Sequence, residues 1–206
     1  MTALYDLLDA VRHLHLETPA LRAFGDWPDD LEPSERPAYR VPALDLITAL
    51  QDRTPLVEAL KTAAPSLEWR QTYTEAEVGR HFLASYGYVE LFGPQGHFHS
   101  KTLRGFLGFW GPGLQYGWHD HQAEELYFCL SGHARFYAAN QPQADIAPGM
   151  TRWHAPFERH AMDTGDAPFL CYALWKGDGL ADLPKMVTTR RDRAEARAQG
   201  REEAPA

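Results

Sequence analysis

The sequence predicts a mainly β fold, an antiparallel barrel or jelly roll, preceded by an N-terminal helical segment. Apolar residues recur at helical spacing through the first third of the chain. From about Tyr86 the chain changes to short aromatic and aliphatic runs separated by Gly, Pro, Asn and Asp, which is typical of antiparallel strands. A chain of 206 residues that is 44% hydrophobic can bury one core with a modest helical addition.

The helical segment is predicted over residues 1–75. One apolar set runs from Leu4 to Leu16 and a second from Leu44 to Leu60, each with the spacing of one helix face. The intervening stretch is rich in proline and acidic residues, which favours an irregular connection. The barrel is predicted over residues 76–186, where closure would remove exposed sheet edges. The charged stretch 187–206 is predicted to be a frayed helix or a disordered tail.

Composition narrows the class of partner. The formal charge is −8, from 20 Lys and Arg against 28 Asp and Glu, which argues against nucleic acid and anionic membranes and favours a small molecule. The N-terminus lacks a signal-peptide pattern and no window reaches membrane-spanning length, so a cytoplasmic location is expected. Cys129 and Cys171 lie in apolar runs and are predicted to be buried free thiols. A homodimer is compatible with the sequence.

One motif carries the chemistry. Its spacing is G-x5-H-x-H-x3-E-x6-G, formed by Gly113, His119, His121, Glu125 and Gly132. Residues two apart on a strand share a face, so His119 and His121 project together, as do Glu125 and Tyr127 after a short turn. Burying such groups unpaired is costly, and a metal ion is the ordinary reason to collect them. Imidazole and carboxylate without thiolate predict one divalent Zn, Fe, Mn, Co or Ni ion.

This five-position pattern resembles the first motif of the cupin superfamily, whose fold is a double-stranded β-helix or jelly-roll barrel. The second motif of that family supplies one further histidine late in the barrel. The candidates here are His160, followed by Thr164 where the family has Asn, and His154, which has no such partner. The resemblance favours His160, with His154 as the alternative, although the gap from Gly149 to His160 is longer than the usual motif allows.

The stretch 116–132 is similar to one branch of that superfamily, the cupin-type dimethylsulfoniopropionate (DMSP) lyases, in which tyrosines accompany the histidines. The similarity covers most of residues 75–185. It implies that four residues bind the metal, namely His121, Glu125, Tyr127 and His160. It implies catalytic roles for Tyr127, Tyr116 and His119. The family's substrate is a small zwitterionic sulfonium compound, which members cleave to dimethyl sulfide and acrylate.

The chemistry of that elimination needs a strong base. The proton next to a carboxylate is so weakly acidic that its removal requires stabilisation of the developing charge by a Lewis acid. A phenol titrates near ~10 in water, and a nearby metal ion makes the phenolate accessible near neutral pH. Tyr127 is therefore predicted to be both ligand and base. Aromatic faces attract a sulfonium cation, and the candidates for binding it are Tyr116, Trp118 and Trp175.

Three other functions share this fold and metal chemistry. A cupin dioxygenase would use the same ion with open positions for oxygen, and activity without oxygen would exclude it. A sugar isomerase or epimerase would need a roomy polar pocket, against which the aromatic surroundings argue. A non-enzymatic small-molecule-binding cupin would show no turnover.

Overall fold

The computed structural model describes residues 2–187 and has the predicted architecture, a mainly β barrel with helices before it. The helices are α1 (Thr2–Glu17), α2 (Pro19–Phe24), α3 (Leu44–Thr48), α4 (Pro55–Ala63), α5 (Glu75–Val78) and α6 (Arg80–Ala84), with a 3-10 turn at Ala64–Ser66. Helices α2 and α4 each begin with a proline. Backbone N–H groups in the first turn have no partner within the helix, so the missing N–H of proline costs no hydrogen bond there. None of the helices described within residues 2–187 is long and apolar enough to cross a membrane.

Residues 2–187 contain ten strands in a single connected sheet, of which the first precedes α3 and the other nine follow α6. They are β1 (Glu32–Pro33), β2 (Tyr86–Gly93), β3 (Phe98–His99), β4 (Arg104–Trp110), β5 (Gln115–Asp120), β6 (Glu124–Ala138), β7 (Gln141–Ile146), β8 (Thr151–His154), β9 (His160–Lys176) and β10 (Lys185–Met186). The main path has the order β1-β3-β2-β4-β9-β5-β10, and β6 pairs with β7, β8 and β9. The long strands β6 and β9 therefore join the two walls of the barrel.

The central strands are buried on both faces. Every residue of β2 and of β4 is buried, and alternate residues enter two different cores. In β4, Leu107 and Phe109 pack against the N-terminal helices, whereas Phe106 and Trp110 point into the barrel. This double burial explains why the strands read as nearly continuous apolar runs rather than as alternating ones.

The predicted start of the barrel at residue 76 differs from the start of the first long strand. Two short helices, α5 and α6, lie within the range assigned to the barrel, whose first long strand begins at Tyr86. The division at residue 75 thus remains a prediction. The predicted tail falls outside the described residues, apart from Val187.

The motif glycines adopt the backbone conformation that favours glycine. Gly113 and Gly132 have φ values of 71° and 76°. At Gly132 a Cβ would also collide with the carbonyl oxygen of Pro168, where β6 shifts its register against β9. The spacing of the motif therefore reflects turns that bound the two strands carrying its histidines and carboxylate.

His15 joins α1 to the barrel. It is fully buried; its Nε2–H donates to the Gly25 carbonyl at 2.8 Å, so its Nδ1 is left to accept from the Tyr172 hydroxyl at 3.2 Å. Burial lowers the pKa of His15, although the hydrogen bond to Gly25 acts in the opposite direction. The folded protein therefore favours the neutral ring.

We expect the His15→Gln variant to be less stable at pH 7.5 by about 1–2 kcal/mol, because two buried hydrogen bonds are disturbed. His15 stabilises the fold fully above its unfolded pKa of about 6.5, and that contribution falls as the pH drops below this value, since the unfolded chain binds the proton more readily. The difference between variant and wild type should therefore narrow at pH 5.5. Urea titration measures the free energy of unfolding of both proteins at each pH, and substitution of the exposed His13, His13→Gln, is the control. An equal difference at both pH values would contradict this account of His15.

Candidate metal centre

Three strands bring the motif residues together inside the barrel. In the β5–β9 pair, His119 lies opposite His160, and His121 directly follows β5. Glu125 and Tyr127 lie two residues apart on β6 and therefore face the same side. The sequence-predicted residues are thus brought to one place by the pairing of β9 with both β5 and β6.

A buried group of three side chains forms the centre. One donor atom from each of His121, Glu125 and His160 lies within 4.8 Å of the others. Oε2 of Glu125 is 3.0 Å from Nε2 of His121 and 3.1 Å from Nε2 of His160. The second contact lacks the geometry of a hydrogen bond, and Nε2 of His160 has no such partner within residues 2–187.

Backbone carbonyls fix the orientation of the imidazoles. Nδ1 of His119, His121 and His160 lies 2.8–2.9 Å from a carbonyl oxygen two residues away along the chain; these oxygens belong to Gly117, Ala123 and Glu158 respectively. A carbonyl can only accept, so each Nδ1 carries the proton, an assignment that follows from the hydrogen-bond partners. Each Nε2 of a neutral ring then presents a lone pair, as in histidines that bind metal ions.

With these tautomers, the Glu125 carboxylate faces the Nε2 lone pairs of His121 and His160. Burial opposes ionisation of Glu125, but positive charge on His121 and hydrogen bonds from His121 and His160 outweigh it and hold the pKa of this carboxyl well below its usual range. When Nε2 of both rings is unprotonated, that positive charge has to come from another cation. An ionised carboxylate and two imidazole lone pairs repel unless a cation lies among them. A transition ion satisfies all three donors at once, and a set of imidazoles and a carboxylate suits Zn, Fe, Mn, Co or Ni. The group can therefore hold the predicted kind of metal ion.

His119 and Tyr116 form a layer beside this group. Their rings stack with centroids 4.0 Å apart, and the ring of His119 is 4.1 Å from that of His160. Burial and the neighbouring His160 lower the pKa of His119 well below its ordinary value, so it is neutral. The Tyr116 hydroxyl lies 2.7 Å from that of Tyr73, a residue of the segment before α5.

A register shift in β5 decides which aromatic residues face inward. The pairing with β9 shifts between Tyr116 and His119, so these two residues share a face although they are three apart. Trp118 is half-buried and lies outside the residues that line the cavity. The structure therefore does not bring Trp118 to the cavity, because adjacent strand residues face opposite sides and its neighbour His119 faces inward.

Trp175 lies at the site in a different way from the one expected. Its ring stacks on His121 at 4.1 Å, and its Nε1–H donates to Oε1 of Glu125 at 2.7 Å. Both oxygens of Glu125 thus have neighbours, which holds the carboxylate in place. Trp175 also lines the cavity, so contact with a ligand remains open to it.

Tyr127 and His154 complete the neighbourhood. Tyr127 is buried and lines the cavity, with its ring centroid 6.5 Å from that of His160. His154 is fully buried and stacks on His160 at 4.0 Å, with Nδ1 3.3 Å from Oε2 of Glu158. Burial, reinforced by His160, lowers the pKa of His154 to about 2. The geometry groups His160, rather than His154, with His121 and Glu125.

A cavity opens over these residues. Its walls are mostly aromatic, and its lining includes Tyr86, Tyr88, Arg104, Phe106, Gly108, Trp110, Tyr116, His119, His121, Glu125, Tyr127, Trp175, Leu183 and Pro184. Strand β4 contributes alternate residues to the lining, namely Arg104, Phe106, Gly108 and Trp110, and none of these was predicted from the sequence. The two-residue period of that strand was the available signal. For Tyr73, which precedes the barrel strands, we find no signal in the sequence.

The chain is similar to known lyases along most of its length. Residues 22–171 match the profile of the family described as dimethylsulfoniopropionate lyase. A curated relative, dimethylsulfoniopropionate lyase DddQ from Ruegeria pomeroyi, is 33% identical over 181 residues, which span 85% of this chain and 90% of the relative.

Two crystal structures have the same fold throughout. A chain from the DMSP lyases RdDddP and RnDddQII is 47% identical, with a TM-score of 0.88, over 91% of this chain and 98% of the other. The crystal structure of DMSP lyase DddQ from Ruegeria pomeroyi DSS-3 is 32% identical, with a TM-score of 0.86, over 92% and 98% of the two chains.

The His–Glu–His group predicts where metal content should be lost. Elemental analysis of the purified protein should find about one transition ion per chain, and His121→Ala, Glu125→Ala and His160→Ala should each lose most of it, because each removes a donor atom. His154→Ala is the matched control, a buried imidazole that stacks on His160, and should retain most of the ion. A site emptied by His154→Ala but filled in His160→Ala would make His154 the late ligand.

Proposed function

The chain belongs to the dimethylsulfoniopropionate lyase family and is an enzyme of the lyase class; we propose that it cleaves DMSP to dimethyl sulfide and acrylate by base-catalysed β-elimination that depends on a metal ion. The observation that carries the proposal is the position of Tyr127. Its buried phenol lies on the same strand face as Glu125 and in the wall of an aromatic cavity. A base is thus available beside a group that can hold a cation.

The metal set of this proposal is His121, Glu125 and His160, with Tyr127 as a further ligand. The chemistry of the three donors fits a divalent transition ion, because two buried imidazole nitrogens and a buried carboxylate oxygen lie within 4.8 Å of one another. Such an ion would supply positive charge that favours the Tyr127 phenolate and offsets the charge developing on the substrate carboxylate.

Tyr127 moves the proton. Burial, and then the neighbouring Glu125 carboxylate, raise the pKa of Tyr127 well above its ordinary value, so the protein groups alone keep the phenol protonated at neutral pH. In this proposal Tyr127 can therefore act as a base only when a metal ion is bound nearby. In the elimination, the phenolate oxygen takes the proton from the carbon next to the carboxylate as the carbon–sulfur bond breaks. The electron pair of the C–H bond forms the carbon–carbon double bond of acrylate. The pair of the carbon–sulfur bond leaves with the sulfur as neutral dimethyl sulfide, so no general acid is needed.

The cavity walls select the substrate. A zwitterion with a sulfonium group suits a cavity lined by several aromatic rings, each of which attracts a cation by about 0.5–2 kcal/mol. Tyr116 is the main candidate for this contact, since its ring lines the cavity and is held by His119 and by Tyr73. Trp175 already packs on His121, which favours a role in positioning Glu125 and the imidazole over a role as an open sulfonium platform.

Membership of a lyase family favours elimination over the dioxygenase, isomerase and non-enzymatic binding functions that share the fold. Activity in the absence of oxygen would separate elimination from oxygenation. The cytoplasmic location and a homodimer stay within this proposal as expectations from the sequence.

We expect purified protein with DMSP to release dimethyl sulfide into the headspace, without oxygen, and to stop when a chelator removes the ion. Tyr127→Phe should lower turnover at saturating substrate on the order of a thousandfold, because it deletes the base while keeping the ring. Tyr116→Phe should have a smaller effect, since its π-face survives.

Tyr88→Phe is the matched control, a buried tyrosine of the same cavity that lies on β2, away from the three donors. It should retain turnover close to that of the wild type. Metal content is measured for all three variants, so that loss of the ion is not mistaken for loss of the base. Near-native turnover by metal-loaded Tyr127→Phe would rule out the tyrosinate mechanism, and a collapse only in Tyr116→Phe would transfer the base role to Tyr116.

A further inference from the structure

One wall of the cavity is a weakly anchored segment. The chain leaves β9 and runs through residues 177–187, none of which is buried. Leu183 and Pro184 nevertheless line the cavity, although Leu183 is 52% exposed. The segment is fixed at its far end by β10, whose Met186 pairs with His119. A segment with so little apolar burial has low local stability unless polar contacts hold it.

Arg104 supplies those contacts from inside the barrel. Its Nη1 donates to the carbonyl oxygens of Leu180 and Asp182 at 2.7 and 2.8 Å. The guanidinium also lies over the ring of Phe106, with Cζ 4.5 Å from the centroid. Arg104 is 1% exposed and itself lines the cavity. A single rigid side chain thus connects the floor of the cavity to its outer wall.

A buried carboxylate holds the guanidinium in this orientation. Nη2 of Arg104 donates to Oε2 of Glu90 at 2.8 Å, and the side chain of Glu90 is as deeply buried as that of Arg104. Glu90 also accepts from the backbone N–H of Gln95 at 2.7 Å and lies 3.4 Å from Nη1 of Arg70. The planar fork of Arg104 can serve the carboxylate and both carbonyls together, which a lysine ammonium cannot reproduce in the same directions.

We propose that Arg104 is a positioning residue for the lyase reaction: by binding the Leu180 and Asp182 carbonyls, it holds Leu183 and Pro184 against a small zwitterionic substrate in the cavity. This inference rests on the proposed function for its link to DMSP. The wall limits the volume around the substrate and keeps water from it, whereas the base and the metal donors lie on other strands. Loss of Arg104 therefore weakens substrate binding more than it slows the chemical step.

Arg104→Lys tests the proposal, with Arg70→Met as the matched control, because Arg70 shares the Glu90 contact but otherwise donates to Glu68 and Gln95, far in sequence from residues 177–187. Hydrogen–deuterium exchange of ligand-free protein should be at least tenfold faster for peptides covering 178–184 in Arg104→Lys and unchanged in Arg70→Met. The KM for DMSP should rise about tenfold or more, with kcat within threefold of wild type.

Leu183→Ala covers the case in which Arg104→Lys does not fold. Leu183 is half exposed, so its substitution should not disturb folding, and the change removes the contact of the wall with the cavity directly. It should raise KM while leaving exchange of residues 178–182 unchanged, and its effect should not add to that of Arg104→Lys. Equal exchange in Arg104→Lys and Arg70→Met, or a fall in kcat with unchanged KM, overturns the proposal. If wild-type protein releases no dimethyl sulfide, the proposed function fails, and the exchange comparison still decides whether Arg104 holds the wall.

Discussion

The site depends on three short hydrogen bonds from imidazole Nδ1 atoms to backbone carbonyls. Each carbonyl lies two residues away in the sequence, so the bond is built into the local course of the strand or turn. It determines the tautomer, and the tautomer determines that the Nε2 lone pairs of His121 and His160 point at Glu125. Three such donor atoms in a buried space form a group that can hold a metal ion.

The double burial of the central strands creates the setting for that charge. Helices cover the outer face of β2, β4 and β9, and their inner face carries the aromatic lining of the cavity. The side chains on both faces of these strands are buried, and burial strengthens electrostatic interactions within the barrel. Burial also raises the pKa of Tyr127, so in the proposed mechanism the phenol can act as a base only when a nearby cation lowers that pKa.

The fold class and the centre of the site could be predicted because both depend on local spacing. Alternation on β6 placed Glu125 with Tyr127, and the family motif selected His160, which the structure groups with His121 and Glu125. Trp118 was chosen for its aromatic ring alone and lies outside the cavity lining, whereas Tyr116 joins the face of His119 through a bulge in β5, a tertiary feature set by pairing with β9. The contact of Tyr73 with Tyr116, the bond from Arg104 to the Leu180 carbonyl and the bond from Trp175 to Glu125 join distant segments, and no spacing in the sequence encodes them. Helices α5 and α6 are too short to produce a clear period.

The central claim is that Nε2 of His121 and of His160, together with Glu125, bind one transition ion. Anomalous X-ray scattering from crystals of metal-loaded protein, recorded at the absorption edge of the bound element, tests it most directly. The account predicts a single strong peak about 2.0–2.3 Å from both Nε2 atoms and from a Glu125 oxygen, with every Nδ1 still on its carbonyl. A peak bound through Nδ1, or one outside this group in fully loaded protein, would contradict it.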